Sequence, residues 1–292
     1  ALCYREEIEM ALRTSEFGGF QLLDLQDYPG QGTALVGILD VFMESKGIIS
    51  PEKWREFCND IVPLARFPKY CWNNDELFTA EIQIAHYGKT DVTGETVSCI
   101  LSAESGETVY RKEVFCPVIS QGKLNSLITL DIPLSEIREP AKMRFEVNMR
   151  ETGYRNSWNI WVYPPYNSVK IAEEKVDGVT VTRDKKLFEK LYASGSPVLY
   201  IPMERDVREK SVEGLFITDF WNYQVFKSVT ERLGVESSPG TLGLLIEEPT
   251  HPVFSSFPTS HHSDWQWWNI VKNSRPIILD DMPVDYFPIV QI

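Results

Sequence analysis

Four residues in one short stretch, Asp24, Gln26, Asp27 and Tyr28, carry the groups best suited to chemistry. They sit at or just after the apolar run Phe20-Gln21-Leu22-Leu23-Asp24-Leu25, which follows Gly18-Gly19 and reads as a buried strand. Polar groups at the carboxyl end of such a strand are where barrel enzymes build their active sites. Hydrolysis of a sugar linkage with retention needs two carboxyl groups about 5–5.5 Å apart, usually on different strands. One strand cannot supply that pair, and Asp27 and Gln31 equally suit the stabilisation of a tight loop.

The second concentration of candidate groups is His251, His261, His262 and Asp264. Adjacent histidines project in different directions, and Asp264 is explained by a helix start at Ser263-Asp264-Trp265-Gln266, so solvated loop histidines are favoured over a zinc site. Trp265, Trp267 and Trp268 could stack on sugar faces. Helical spacing instead assigns Trp265 and Trp268 to anchoring the helix, leaving Trp267 as the exposed candidate. Gly240 to Gly243 is too short for a phosphate loop and no Lys follows it. The cysteines, Cys3, Cys58, Cys71, Cys99 and Cys116, are odd in number and lack zinc spacing. They are expected to be buried thiols, with Cys99 and Cys116 in neighbouring strand-like runs that could pair if the route of export were oxidising.

Three kinds of pattern would position these groups. In the first 68 residues, Leu2, Ile8, Ala11 and Leu12 can share one face of a helix from Leu2 to Arg13, with Glu6, Glu7 and Glu9 pointing outward. After the strand and a loop, Thr33 can cap a helix from Ala34 to about Ser45. Ser50-Pro51 starts another, with Trp54, Phe57, Ile61 and Leu64 as its buried stripe. From 69 to 165 the period changes to two, as in Phe78–Ala85, Val97–Leu101, Leu127–Ile132, Met143–Met149 and Ser157–Tyr163. About seven short strands in that length predict an immunoglobulin-like β-sandwich. From 166 to 292 helical and strand-like patterns alternate again: a helix over Asp184–Ala193, a strand over Pro197–Pro202, a helix over Tyr223–Leu233 and a strand over Leu242–Ile246. The fold class expected is therefore multidomain, α/β plus all-β.

Composition narrows the function. At 292 residues the chain has room for two or three domains, and 29 Lys and Arg against 42 Asp and Glu give a formal charge of −13. Such a chain repels phosphate backbones, so nucleic acid is a poor partner, and nothing approaches the ~18 apolar residues of a membrane span. The chain starts at Ala1 without Met and stops within the apolar run Phe287–Ile292, so a piece of a longer protein is expected.

The stretch from Tyr4-Arg5-Glu6-Glu7-Ile8-Glu9 through Gly18-Gly19-Phe20-Gln21-Leu22-Leu23-Asp24-Leu25-Gln26-Asp27-Tyr28-Pro29-Gly30-Gln31-Gly32-Thr33-Ala34 resembles the end of the catalytic barrel in β-galactosidase-like glycoside hydrolase family 2 type proteins of gut Bacteroides. Trp265 to Ile292, with Asn273-Ser274-Arg275-Pro276-Ile277-Ile278-Leu279-Asp280, is similar to their tail region. The resemblance implies that residues 1–68 are the terminal part of a (β/α)8 TIM barrel and that 69–165 are the sandwich. Residues 166–292 would be a class I glutamine-amidotransferase-like, flavodoxin-like α/β domain without the nucleophilic cysteine, since none follows Cys116. It further implies a retaining hydrolase of β-linked glycans whose two glutamates lie upstream of Ala1, so this stretch holds no catalytic residue, metal or cofactor. Asp24, Gln26, Asp27 and Tyr28 would border the sugar site. The partner would be an oligosaccharide, the assembly a homodimer if any, and the location periplasmic, secreted or at the surface of a Gram-negative cell. The alternative is a carbohydrate-binding or structural module without catalysis.

Overall fold

The computed structural model describes residues 1–30, 35–165, 175–176, 178–211, 228–229, 231–234, 243–280 and 282–291. They fall into two units, one built on Ala1–Pro165 with Thr250–Thr259 and the other on most of the remaining residues.

The first unit is a β-sandwich with a helix docked on it. Eight strands form it: β1 (Ile61–Arg66), β2 (Cys71–Asn73), β3 (Leu77–His86), β4 (Val92–Ala103), β5 (Thr108–Ile119), β6 (Lys123–Pro133), β7 (Ala141–Met149) and β8 (Arg155–Tyr163). One sheet has the order β1-β3-β6 and the other β2-β8-β7-β4-β5, with β2 parallel to β8. Alternation carries the inward residues of both sheets into one core, where Phe78, Ile82, Ile84, Val97, Leu101, Phe145 and Ile160 are wholly buried. Rings add directional packing: Phe78 meets Phe145 at 5.1 Å and Trp72 at 5.3 Å, both edge to face.

A carboxylate fixes one end of the sandwich. Glu95 of β4 is fully buried and accepts from the Glu151 amide at 3.0 Å, the Thr152 amide at 3.1 Å and the Thr152 hydroxyl at 2.8 Å. It thereby satisfies the turn between β7 and β8, in which Gly153 takes a φ of 80° that side chains rarely adopt.

The first 60 residues depart from expectation. Helix α1 (Leu2–Arg13) forms and packs Leu12 against Val62, Leu64 and Ala85. Residues 18–25 form no strand: Phe20, Leu23 and Leu25 are exposed, and Gln26 makes only an isolated bridge to Leu39. A strand needs a partner along its length, and here the pairing is confined to the end of the run, where the Leu25 carbonyl accepts from the Ile38 and Leu39 amides, both at 3.1 Å. The helix expected from Ala34 is likewise not formed over the described residues 35–45, so no barrel repeat stands here. Helix α2 is short (Pro51–Trp54), with the Ser50 side chain accepting from the Lys53 amide at 3.2 Å. Ile61 and Leu64, expected on its buried stripe, belong to β1 instead. That strand is buried on both faces, by the core on one side and α1 on the other, so its residues form an unbroken apolar run that periodicity cannot separate from helix.

Among its described residues the second unit has a β-α-β passage: β10 (Val179–Thr182), α3 (Lys185–Ala193) and β11 (Val198–Tyr200), the two strands parallel. Asp184 caps α3 by accepting from the amides of Lys186 and Leu187. Strand β9 (Lys175–Val176) adds antiparallel to β10, and a separate pair joins β12 (Leu245–Ile246) to β13 (Val290–Gln291). A flavodoxin-like parallel sheet is not formed among the described residues. Most of the helix expected over Tyr223–Leu233, and Leu242, lie outside them.

Candidate functional site

The four residues singled out in the sequence share one loop but not one task. Asp27 is buried, and its carboxylate accepts from the Gly37 amide at 2.9 Å and pairs with the Lys46 ammonium at 3.0 Å. Lys46 also donates to the carbonyl of Gly37 at 3.0 Å. The Asp27 amide donates to the Leu39 carbonyl at 3.0 Å. Gly37 lies so close to this backbone that a Cβ there would stand 2.3 Å from the Gln26 carbonyl carbon, so only glycine fits. Asp27 is therefore committed to holding the loop. Asp24 presents its carbonyl to the Tyr4 hydroxyl at 3.3 Å, Gln26 is half-buried, and the Tyr28 ring is exposed.

The outward face assigned to α1 is wrong at Glu9. That residue is fully buried and accepts from Arg5 at 2.9 Å, Arg13 at 2.6 Å, Asn156 at 2.9 Å and the Trp158 indole at 2.9 Å. Arg5 is also buried, donates to Asn156 at 3.1 Å and lies over the Trp158 ring at 5.2 Å. Four donors on one carboxylate offset its desolvation and tie α1 to β8. Glu6, a turn away, accepts from the Tyr70 hydroxyl; burial pushes its carboxyl above the usual range, opposed by that hydrogen bond. Only Glu7 of the three is exposed. The Arg5, Glu9, Arg13 spacing of four residues was the available signal, because it places three charges on the side of the helix that also carries Ile8 and Leu12.

A nucleophile-like group occurs where α2 meets β8. The Ser157 hydroxyl accepts from Lys53 at 2.8 Å and donates to Glu56 at 3.1 Å, while Lys53 and Glu56 pair at 2.5 Å. A serine beside a lysine can be an acyl-transfer pair, but Ser157 is 3% exposed and no reacting carbonyl could approach it. The cluster fastens α2 to the sheet.

The other sequence candidates are placed individually. The His251 ring accepts from the Val253 amide at 3.2 Å and caps a short turn, and His261 and His262 are exposed. Among the described residues no three His, Cys, Asp or Glu side chains gather as a metal site. Trp267 is buried and Trp268 exposed, the reverse of the expectation, because residues 265–267 form a tight 3-10 turn and the α-helix (Trp268–Asn273) starts only after it. Asp264, not Ser263, caps that turn, while the Ser263 hydroxyl accepts from the Leu244 amide. All five cysteines are thiols; burial pushes Cys99 up to about 12.

Two family models match the chain, each by a domain of unknown function: DUF8488 over residues 76–164, which takes in β3 to β8, and DUF8487 over residues 179–292. No curated protein matches. Among solved structures, a Parabacteroides merdae β-glucuronidase is similar at a TM-score of 0.27 and 10% identity, over 36% of this chain and 14% of that one. A β-glucuronidase of glycoside hydrolase family 2 is similar at 0.25 and 12%, over 36% of this chain and 11% of that one. The sporulation control protein Spo0M of Bacillus subtilis is similar at 0.27 and 10%, over 38% and 51%. This chain thus spans a small part of the enzymes, and function rests on its own residues.

Proposed function

We propose that this chain is the C-terminal portion of a retaining glycoside hydrolase of β-linked glycans, the glutamates that cut the linkage lying outside these residues. In this reading residues 1–68, apart from the stretch Ile61–Arg66 that forms β1 of the sandwich, contribute the end of the catalytic barrel, the sandwich is an immunoglobulin-like brace and the second unit is an accessory domain. The observation that carries it is the condition of residues 17–30 and 35–48. Phe20, Leu23, Leu25, Leu35 and Phe42 are exposed although the loop around them is held by Asp27, Lys46 and Tyr4. A loop so firmly held, with so much apolar surface outward, is built to be covered. The resemblance of Tyr4–Ala34 to a barrel's end names the cover. Asp24, Gln26 and Tyr28 then border the sugar, while Asp27 positions the loop. A periplasmic or secreted location, with oligosaccharide as partner and a homodimer as assembly, belongs to the same reading.

The test is the mass of the native protein, captured from its source cells with an antibody raised against these 292 residues. A mass far above 33.6 kDa, together with hydrolysis of aryl β-glycosides by the captured protein and none by the purified 292 residues, is expected. A native mass near 33.6 kDa would overturn the reading.

A further inference from the structure

Strand β5 forms one edge of the five-stranded sheet, and among the described residues only β4 pairs with it. Which of its residues face outward follows from β4. The Arg150 amide donates to the Thr96 carbonyl at 3.0 Å, so Thr96 turns its backbone groups towards β7. Neighbours along a strand turn theirs the other way, so Val97, Cys99 and Leu101 bond to β5, where their partners are Val114, Lys112 and Tyr110. The amides and carbonyls of Arg111, Glu113 and Phe115 therefore point out of the edge, and these three residues and Lys112 are exposed.

The open stretch is bounded at both ends. The register against β4 shifts between Leu101 and Ser102, which leaves Val109 as an extra residue in β5, and at the far end Pro117 has no amide to give. Such ends, with a lysine between them, close an edge to indiscriminate pairing. What remains, Tyr110-Arg111-Lys112-Glu113-Val114, is complementary to itself. Laid antiparallel about a two-fold axis at Lys112, Arg111 of each copy meets Glu113 of the other on the outer face of the sheet. Tyr110 meets Val114 on the opposite face, where both already pack against the core. Arg111 and Glu113 are then the residues that exchange both backbone hydrogen bonds. Glu113 has a partner in its own chain, Arg150 at 3.0 Å, but both side chains are about half exposed and a carboxylate can accept from two guanidiniums.

We infer that β5 is the edge on which two copies of this chain pair, continuing the sheet across the two-fold axis. Charge complementarity identifies the partner: a second copy supplies the anion and the cation in the order that this edge needs, with no further requirement. Lys112 opposite its own copy opposes the pairing, and the ladder is far shorter than the roughly 20–30 residues a side of a standard interface. The dimer is accordingly a weak one that dissociates on dilution. It supplies a surface for the homodimer of the reading above yet rests on the sandwich alone. The native mass tests the longer chain and the experiment below tests the pairing, so either can fail without the other.

The test is sedimentation velocity of the 292-residue protein over a concentration series at about 0.15 M salt, which screens the repulsion between two acidic chains. The natural chain should show a monomer–dimer equilibrium. Charge reversals are then made alongside Arg150→Ser, so that Glu113 has no partner in its own chain. Arg111→Glu and Glu113→Arg should each weaken the dimer about tenfold, because two attractive pairs become two repulsive ones, and the two together should restore it. Lys112→Thr should tighten the dimer by removing the like-charge pair. The substituted side chains are exposed, so the fold should hold, which circular dichroism checks. A monomer at every concentration, a dimer indifferent to either reversal, or a double reversal that folds and stays monomeric would each overturn the inference.

Discussion

The sandwich and the loop of residues 14–30 and 35–48 both carry many large apolar side chains, yet the sandwich hides most of its own in a core and the loop leaves most of its own outward. In the sandwich, Phe78, Phe145 and Trp158 have almost no exposed surface; in the loop, Leu23 is 63% and Phe42 79% exposed. The difference is not order, because both are pinned by buried charges: Glu9 and Glu95 in the first, Asp27 in the second. It is partnership. Each sandwich strand finds its neighbour within 100 residues of chain, whereas the apolar face of the loop finds none among the described residues. A hydrophobic pattern is a statement about a partner, and it becomes structure only where the partner is present.

That contrast can be broken or sharpened by substitution. Phe145→Ala should cost about 3–5 kcal/mol in denaturant unfolding, while Phe42→Ser should stay within about 0.5 kcal/mol and raise solubility. Comparable losses would mean that the loop is as integral as the core. Glu9→Ala leaves Arg5 and Arg13 without their shared acceptor and should cost about 3 kcal/mol, with α1 becoming the first site of proteolysis. Asp27→Ala should loosen the loop by about 1–2 kcal/mol, seen as faster cleavage between residues 27 and 46 with the unfolding midpoint of the sandwich unchanged.

The smallest effect is one of pH. Burial raises the Glu6 carboxyl in the folded state above its unfolded value of 4.5, so the folded form holds this proton more tightly. Its contribution to stability is therefore greatest below that unfolded value and declines as pH rises through the folded one. Glu6→Gln, which still accepts from Tyr70, should flatten this part of the pH profile and leave the protein slightly more stable at neutral pH. A steeper profile would contradict the assignment.

Much of the sandwich was legible because strand alternation is local: Phe78–Ala85 and Met143–Met149 lie within β3 and β7, and burial alternates along β7 and the first half of β3. Strand β1 was not, since an apolar run buried on both faces has no period to read. The site was less legible still. Asp27 was recognised as a loop residue by type, but its partner Lys46 lies 19 positions away with no spacing rule to connect them. Glu9 resembled a solvated helical glutamate; its spacing of four from Arg5 and Arg13 was in the sequence, but the distant Asn156 and Trp158 that complete its burial were not.

The most direct measurement is native-state hydrogen exchange on the 292-residue protein, comparing amides of α1 and residues 17–25 with those of β3 and β7. If α1 is welded to the sandwich by Glu9 while the segment it leads into awaits a cover, α1 should exchange as slowly as the strands and residues 17–25 orders of magnitude faster. Exchange of α1 at the rate of residues 17–25 would contradict this, and would make helix and loop a single mobile arm.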